Sequence, residues 1–251
     1  MNVPKLIFIV PYRDRELQRK FFHRHMTTYI LEDLKPEEYE ILYIHQKDER
    51  PFNRGAIKNI GFLIVKEKYK EYYKNITLVF NDVDTSPLCP GVFNYETKSK
   101  EVKHFYGFKH ALGGIFSIKG EDFEISGGFP NFWSWGYEDS VYQERVLSKR
   151  LNINRSEFLP ILHKNVLLLH DDVYRLVNRQ EFERYSNNTK EGFQDIKNLK
   201  YNFNEETGLV DIIEFTTPHV YNKEKDKTID LRKGGIPYKN SSKMSLNFTK
   251  R

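Results

Sequence analysis

The stretch Ile76-Thr77-Leu78-Val79-Phe80-Asn81-Asp82-Val83-Asp84 decides how the chain is read. Residues 76–80 form an apolar run of strand length that stops at two carboxylates one residue apart. Upstream, 6–10 is an equally apolar run ending at Pro11, and 40–45 is another short strand pattern. Between these runs, 16–34 sets Leu17, Phe21, Met26, Ile30 and Leu34 at helical spacing before Pro36, and 54–69 reads as a second helix. Strands alternating with helices predict an α/β fold: a doubly wound, mostly parallel, Rossmann-like sheet flanked by helices. Ligands in such sheets bind beyond the carboxyl ends of the strands. Three polar clusters fall at those ends: Arg13-Asp14-Arg15, His45-Gln46-Lys47 and Asp82-Val83-Asp84.

Downstream the pattern loosens. Residues 87–170 are less regular and hold a Gly- and aromatic-rich stretch at 113–139. A short strand is expected at 166–169, a polar surface helix or mobile lid at 173–193, and a late strand at 209–215. The chain shows no internal repeat.

Composition sets the bounds. The 251 residues, 39% hydrophobic and 15% aromatic, can bury a large single core. A single cysteine, Cys89, excludes an internal disulfide framework. No run approaches the roughly 20 apolar residues of a membrane span, and the apolar run at 6–10 is too short for a signal-peptide core. The sequence therefore predicts no membrane span and a cytoplasmic location. From Asn222 onward nine Lys and Arg face three Asp and Glu, so the net charge of +5 sits in the tail and the body is near neutral. That argues against nucleic acid as a partner, which would need a basic face on the fold itself. The expected organisation is one domain over 1–220 and a basic, flexible tail over 221–251.

Asp82 and Asp84 point to metal chemistry. Two carboxylates just past a buried strand can share a hard divalent cation, Mn2+ or Mg2+, with the phosphate oxygens of a substrate. Such a cation offsets the charge of a departing diphosphate.

Gly128-Phe129-Pro130-Asn131 followed by Trp133-Ser134-Trp135-Gly136-Tyr137-Glu138-Asp139 resembles the signature of the β-1,4-galactosyltransferase family. Further motifs agree in order: Val10-Pro11-Tyr12-Arg13-Asp14-Arg15; Phe52-Asn53-Arg54-Gly55 with Asn59-Ile60-Gly61-Phe62; Asp82-Val83-Asp84; Gly113-Gly114; and Leu169-His170-Asp171. The resemblance covers about 7–172. It implies a GT-A-type fold and a metal-dependent, inverting transfer of galactose or an N-acetylhexosamine from a UDP-sugar to a glycan or glycoconjugate acceptor. It also implies the roles. Pro11, Tyr12, Arg13 and Arg15 would hold the uracil and diphosphate, and Phe52, Asn53 and Arg54 would complete the uridine pocket. Asp82, with Val83 beside it, would reach the donor ribose or sugar. Gly114 would admit the donor close to the backbone, and Trp135 would pack on the sugar. Asp84 and His170 would bind the metal. Trp135, Glu138 and Asp139 would face the acceptor, with Asp139 as the general base, while Glu138 has an alternative role at the start of a helix over 139–149.

Two positions depart from the family pattern. Ala111 stands two residues before the double glycine, where galactose-specific members carry Tyr, so N-acetylated donors are admitted as well. Ser140 follows Asp139, where an acidic residue usually helps to hold the acceptor. The competing reading is a catalytically inactive GT-A-like module that binds nucleotide or glycan. The sequence leaves the acceptor and the oligomeric state open.

Overall fold

The computed structural model describes residues 2–169, 172–233 and 238. The chain opens with β1 (Leu6–Tyr12), α1 (Glu16–His25), β2 (Tyr39–Gln46), α2 (Arg54–Lys68) and β3 (Thr77–Asn81). Next come β4 (Thr85–Pro87), β5 (Glu101–Gly107), β6 (Ile115–Lys119), α3 (Gly120–Ser126) and α4 (Glu138–Ser148). The remainder holds β7 (Asn152–Asn154), β8 (Leu159–Pro160), β9 (Val166–Leu168), β10 (Tyr174–Asn178), α5 (Arg179–Ser186), β11 (Lys197–Asn204), β12 (Leu209–Thr216) and β13 (Asp226–Asp230).

The central sheet runs β11-β12-β2-β1-β3-β6-β5-β7, with β8 beside β5. Its heart is parallel, as expected: β1 pairs with β2 and β3, and β2 with β12. The sheet as a whole is mixed, because β6 enters antiparallel to both β3 and β5, and β11 is antiparallel to β12. Alternation along β1 explains its burial on both faces. Ile7 and Ile9 pack with Ile57, Ile60 and Val65 of α2, whereas Leu6, Phe8 and Val10 pack with Phe22 of α1 and with Met26. The strand after α1 lies on one side of β1 and the strand after α2 on the other. The switch point between them places residues 11–15 beside 82–84.

Three segments differ from the sequence expectation. The helix expected over 16–34 is α-helical only to His25 and continues as a wider π turn over Met26–Ile30. The hydroxyls of Thr27 and Thr28 donate back to the His23 and Arg24 carbonyls at 2.8 and 2.6 Å, competing with the ladder there. The polar stretch 173–193 supplies a strand as well as a helix, β10 then α5, with Asn178 capping the helix. Finally, part of the expected tail forms β13, paired antiparallel with β10 from Asp226 to Asp230. Among the described residues no helix is long and apolar enough to cross a membrane.

Candidate active site

A cavity of about 450 Å³ opens at the switch point. Pro11 to Arg15 form one wall, Asp82, Val83 and Asp84 another, and Pro51, Phe52 and Arg54 a third. Ser134, Trp135, Asp172 and the β10 residues Tyr174, Arg175 and Leu176 close it. Its size is that of a small-molecule site. Tyr12 stacks on His45 with ring centroids 4.6 Å apart, and His45 Nδ1 lies 2.8 Å from Asp211 Oδ1, which fixes the first wall. Arg13 donates to the Arg50 carbonyl, and Arg15 lies 3.4 Å from Asp84 Oδ2.

The start of α2 organises what lies behind the cavity. Asn53 is fully buried and caps the helix, its side chain accepting from the Ala56 N–H at 2.9 Å while its amide donates to the Asn131 carbonyl. Asn59 accepts from the Phe129 N–H and donates to the Phe129 carbonyl, both at 2.8 Å. Gly55 presses on the same segment, since a Cβ there would stand 2.0 Å from the Pro130 carbonyl oxygen. We therefore expect Gly55→Ala to destabilise the protein by about 1–3 kcal/mol, against the gain of up to about 1 kcal/mol that helix propensity alone gives. Urea unfolding reads the sign, and a stabilised variant would refute the contact.

Arg54 donates to Asp82 Oδ1 at 2.6 Å and lies 3.4 Å from Glu138 Oε1. One turn on, Lys58 Nζ donates to Asp139 Oδ1 at 2.7 Å. Two cations on one helix face thus meet three carboxylates from distant parts of the chain. Burial raises the Asp82 carboxyl, but the combined pull of Arg54, Lys58 and Arg15 outweighs it and holds Asp82 below the usual carboxylate range. Glu138 moves the other way, because burial and the neighbouring Asp139 charge favour its neutral form more than Arg54 and Lys58 oppose it. Burial disfavours the Arg54 charge as well, yet Asp82, Glu138 and Asp139 together keep its proton more firmly bound than usual.

The turn that carries Trp135 is held in an uncommon conformation. Ser134 and Tyr137 both have positive φ, 71° and 73°, and the Trp135 N–H donates to the Leu176 carbonyl of β10 at 2.8 Å. Trp133 points inward instead, stacked on Phe215 in the core. Glu138 and Asp139 occupy the first turn of α4, where the helix dipole favours negative charge.

With that geometry in hand, the chain can be compared with known proteins. Residues 2–89 match the family model described as the N-terminal region of glycosyl transferase group 7, and 94–171 match the model described as the N-terminal domain of galactosyltransferase. The chain belongs to the β-1,4-galactosyltransferase family. The xylosylprotein 4-beta-galactosyltransferase of Caenorhabditis elegans is 31% identical over 161 residues, covering 60% of this chain and 53% of that protein. Human beta-1,4-galactosyltransferase 7 is 26% identical over 218 residues, covering 82% and 63%. The chain thus matches less than two thirds of the length of these relatives. The catalytic domain of Drosophila β1,4-galactosyltransferase 7, solved with xylobiose, superposes with a TM-score of 0.66 at 20% identity, over 92% of this chain and 97% of that one. A mutant of the same enzyme, solved with manganese, UDP-Gal and xylobiose, gives 0.63 at 21%. These superpositions show that the fold is the GT-A-type fold of the β-1,4-galactosyltransferase family.

The family motifs converge, though not all of them on the cavity. Pro11, Tyr12, Arg13, Arg15, Phe52, Arg54, Asp82, Val83, Asp84 and Trp135 line it. Asn53 does not; its amide is committed to capping α2 and to Asn131. Gly114 also stands off the wall. Its φ of +68° and missing Cβ make room for the Tyr106 carbonyl, while its own carbonyl accepts from the Asp82 N–H at 3.1 Å. Glu138 and Asp139 are not among the lining residues; they pair with Arg54 and Lys58. Asp139 is ion-paired, with Lys58 Nζ 2.7 Å from its Oδ1. His170 lies outside the described residues, but β4 pairs with β9 and the Leu169 N–H donates to the Asp84 carbonyl at 2.8 Å.

Sequence reasoning missed Lys58 and His104. A lysine one helical turn after Arg54, flanked by Ile57 and Asn59, was the available signal for the first. His104 is buried in β5; burial and the Arg155 charge push its pKa down to about 4, so the ring is neutral. Because Arg155 Nε donates to Nδ1, Nε2 carries the hydrogen and donates to the Gly113 carbonyl at 3.2 Å, bracing the double glycine.

Proposed function

We propose that this chain is a metal-dependent, inverting glycosyltransferase that moves galactose, or an N-acetylhexosamine, from a UDP-sugar to a glycan hydroxyl. One observation carries the proposal: Arg54 bridges the Asp82 carboxylate on the cavity wall and the Glu138–Asp139 pair behind it. That link sets a donor pocket beside a candidate base. Tyr12 and Phe52 would flank the uracil, with Arg13, Arg15 and Arg54 facing the diphosphate and Asp82 the ribose or sugar. Trp135 would pack on the transferred sugar. Asp139 would take the proton of the acceptor hydroxyl as its oxygen bonds to the anomeric carbon from the face opposite UDP, while the bond from that carbon to the UDP phosphate oxygen breaks and UDP leaves with the electron pair.

The cavity wall fits a cation shared with the substrate. Arg13, Arg15, Arg54 and Arg175 are matched there by Asp14, Asp82, Asp84 and Asp172, so the side chains alone offer a diphosphate little net positive charge. Phosphate oxygens and water would fill the coordination positions that the protein ligands leave open. Asp84 would hold the ion, with His170, next in sequence to the Leu169 anchored on Asp84. A bound Mn2+ or Mg2+ would supply counter-charge to the leaving UDP.

Two relatives narrow the substrates. One is named for xylosylprotein, and the Drosophila structures hold xylobiose and UDP-Gal. β-Xylosides are therefore the first acceptors to try, with N-acetylglucosaminides next. Ala111 leaves UDP-GalNAc and UDP-GlcNAc to be tested beside UDP-galactose, since one such contact decides about 1–3 kcal/mol between donors. We expect acceptor-dependent UDP release from one of these donors, abolished by EDTA and restored by Mn2+. UDP binding with no turnover of any donor would overturn the proposal in favour of a binding module.

A further inference from the structure

A general base works only if its carboxylate is held still with one oxygen open to the incoming hydroxyl. We infer that Lys58 is the positioning residue that holds Asp139 in that pose, a role that rests on the transferase reading above. Lysine is rarely buried without a partner, yet the Lys58 side chain is only 2% exposed. Its Nζ donates to Asp139 Oδ1 at 2.7 Å and sits 4.5 Å from the centroid of the Phe129 ring, whose face favours a cation. A Cβ on Gly113 would come within 2.1 Å of Asp139 Oδ2, so the carboxylate rests against a bare Cα. The Asp139 carbonyl is fixed in turn by the Leu112 N–H at 3.0 Å. Ammonium, glycine and backbone grip the residue from three directions, and 22% of its side chain stays open to solvent.

Charge explains why an ammonium stands there. Asp82, Glu138 and Asp139 all act on Arg54, and Arg15 adds a further positive charge at Asp82. Lys58 acts on all three carboxyls and is the cation in direct contact with Asp139. Without it, repulsion between Asp139 and the ionised Asp82 would go unopposed at Asp139. A leucine or methionine would fill the same space on α2 but could not oppose that repulsion. Lys58 does not line the cavity, and its direct hydrogen bond is to Asp139.

The full-length chain and the UDP-release assay test this role. Lys58→Met keeps the length of the stem and removes the charge. We expect its kcat to fall about 10- to 100-fold with the donor KM within about threefold of wild type, because Lys58 does not line the donor cavity. In an Asp139→Asn background the same substitution should change kcat by less than about twofold, since a positioning residue has nothing left to position. Wild-type kcat in Lys58→Met, or losses that multiply in the double variant, would overturn the assignment. Should Lys58→Met fail to fold by circular dichroism, Lys58→Gln is read by the same criteria. A wild-type chain that turns over no donor overturns the transferase reading and the role of Lys58 with it. An active wild type with an unaffected Lys58→Met overturns the role of Lys58 alone.

Discussion

Asp139→Asn is expected to keep UDP and metal binding and to lower transfer about 10²- to 10⁴-fold, or about 2.7–5.5 kcal/mol of barrier. The substitution preserves shape and removes the ability to accept a proton. Binding should survive because Asp139 is not among the residues that line the cavity. Steady-state kinetics with saturating Mn2+, alongside calorimetric titration with UDP, separate the two effects. A variant that transfers at the wild-type rate removes Asp139 from the mechanism. One that no longer binds UDP makes it part of the donor site instead.

Arg54→Met should be the most destabilising single change at the site. It would leave Asp82 and Glu138, whose side chains are 21% and 6% exposed, without their nearest cation. Removing one partner of a fully buried ion pair costs about 3–5 kcal/mol; with a fifth of the Arg54–Asp82 pair exposed to solvent, about 2–4 kcal/mol is expected. For a chain of this size that amounts to a fall of about 5–15 °C in the melting midpoint. The pH dependence follows from Asp82, whose folded pKa lies below its unfolded value. A depressed carboxyl adds stability above its unfolded pKa and loses it as pH falls through the folded one. The gap between wild type and variant should therefore be widest above about pH 5 and shrink toward pH 3. A gap that widens in acid would show that Arg54 is not the counter-ion.

What could be read from the sequence were the features set by local pattern. The apolar runs of β1, β2 and β3, the helix at 54–69 and the two carboxylates at a strand end all announce themselves within a few residues. Features that depend on distant partners did not. The Asp-Lys-Thr-Ile-Asp run of β13 has tail-like composition, and only its pairing with β10 makes it a strand. Lys58 reads as one more polar residue on a helix until Asp139, 81 residues away, is brought to it. Asn53 is the reverse case. Its place just before a helix is an N-cap signal, and its side chain does cap α2.

The start of α2 also works as a ruler. Arg54 reaches Asp82 on the cavity wall and Lys58 reaches Asp139, one turn and about 6 Å of helical rise apart. Inserting a single residue between them would swing Lys58 about 100° around the axis and point its ammonium away from Asp139. Within that turn the spacing is fixed by the separation of the Asp82 and Asp139 carboxylates that the two side chains reach.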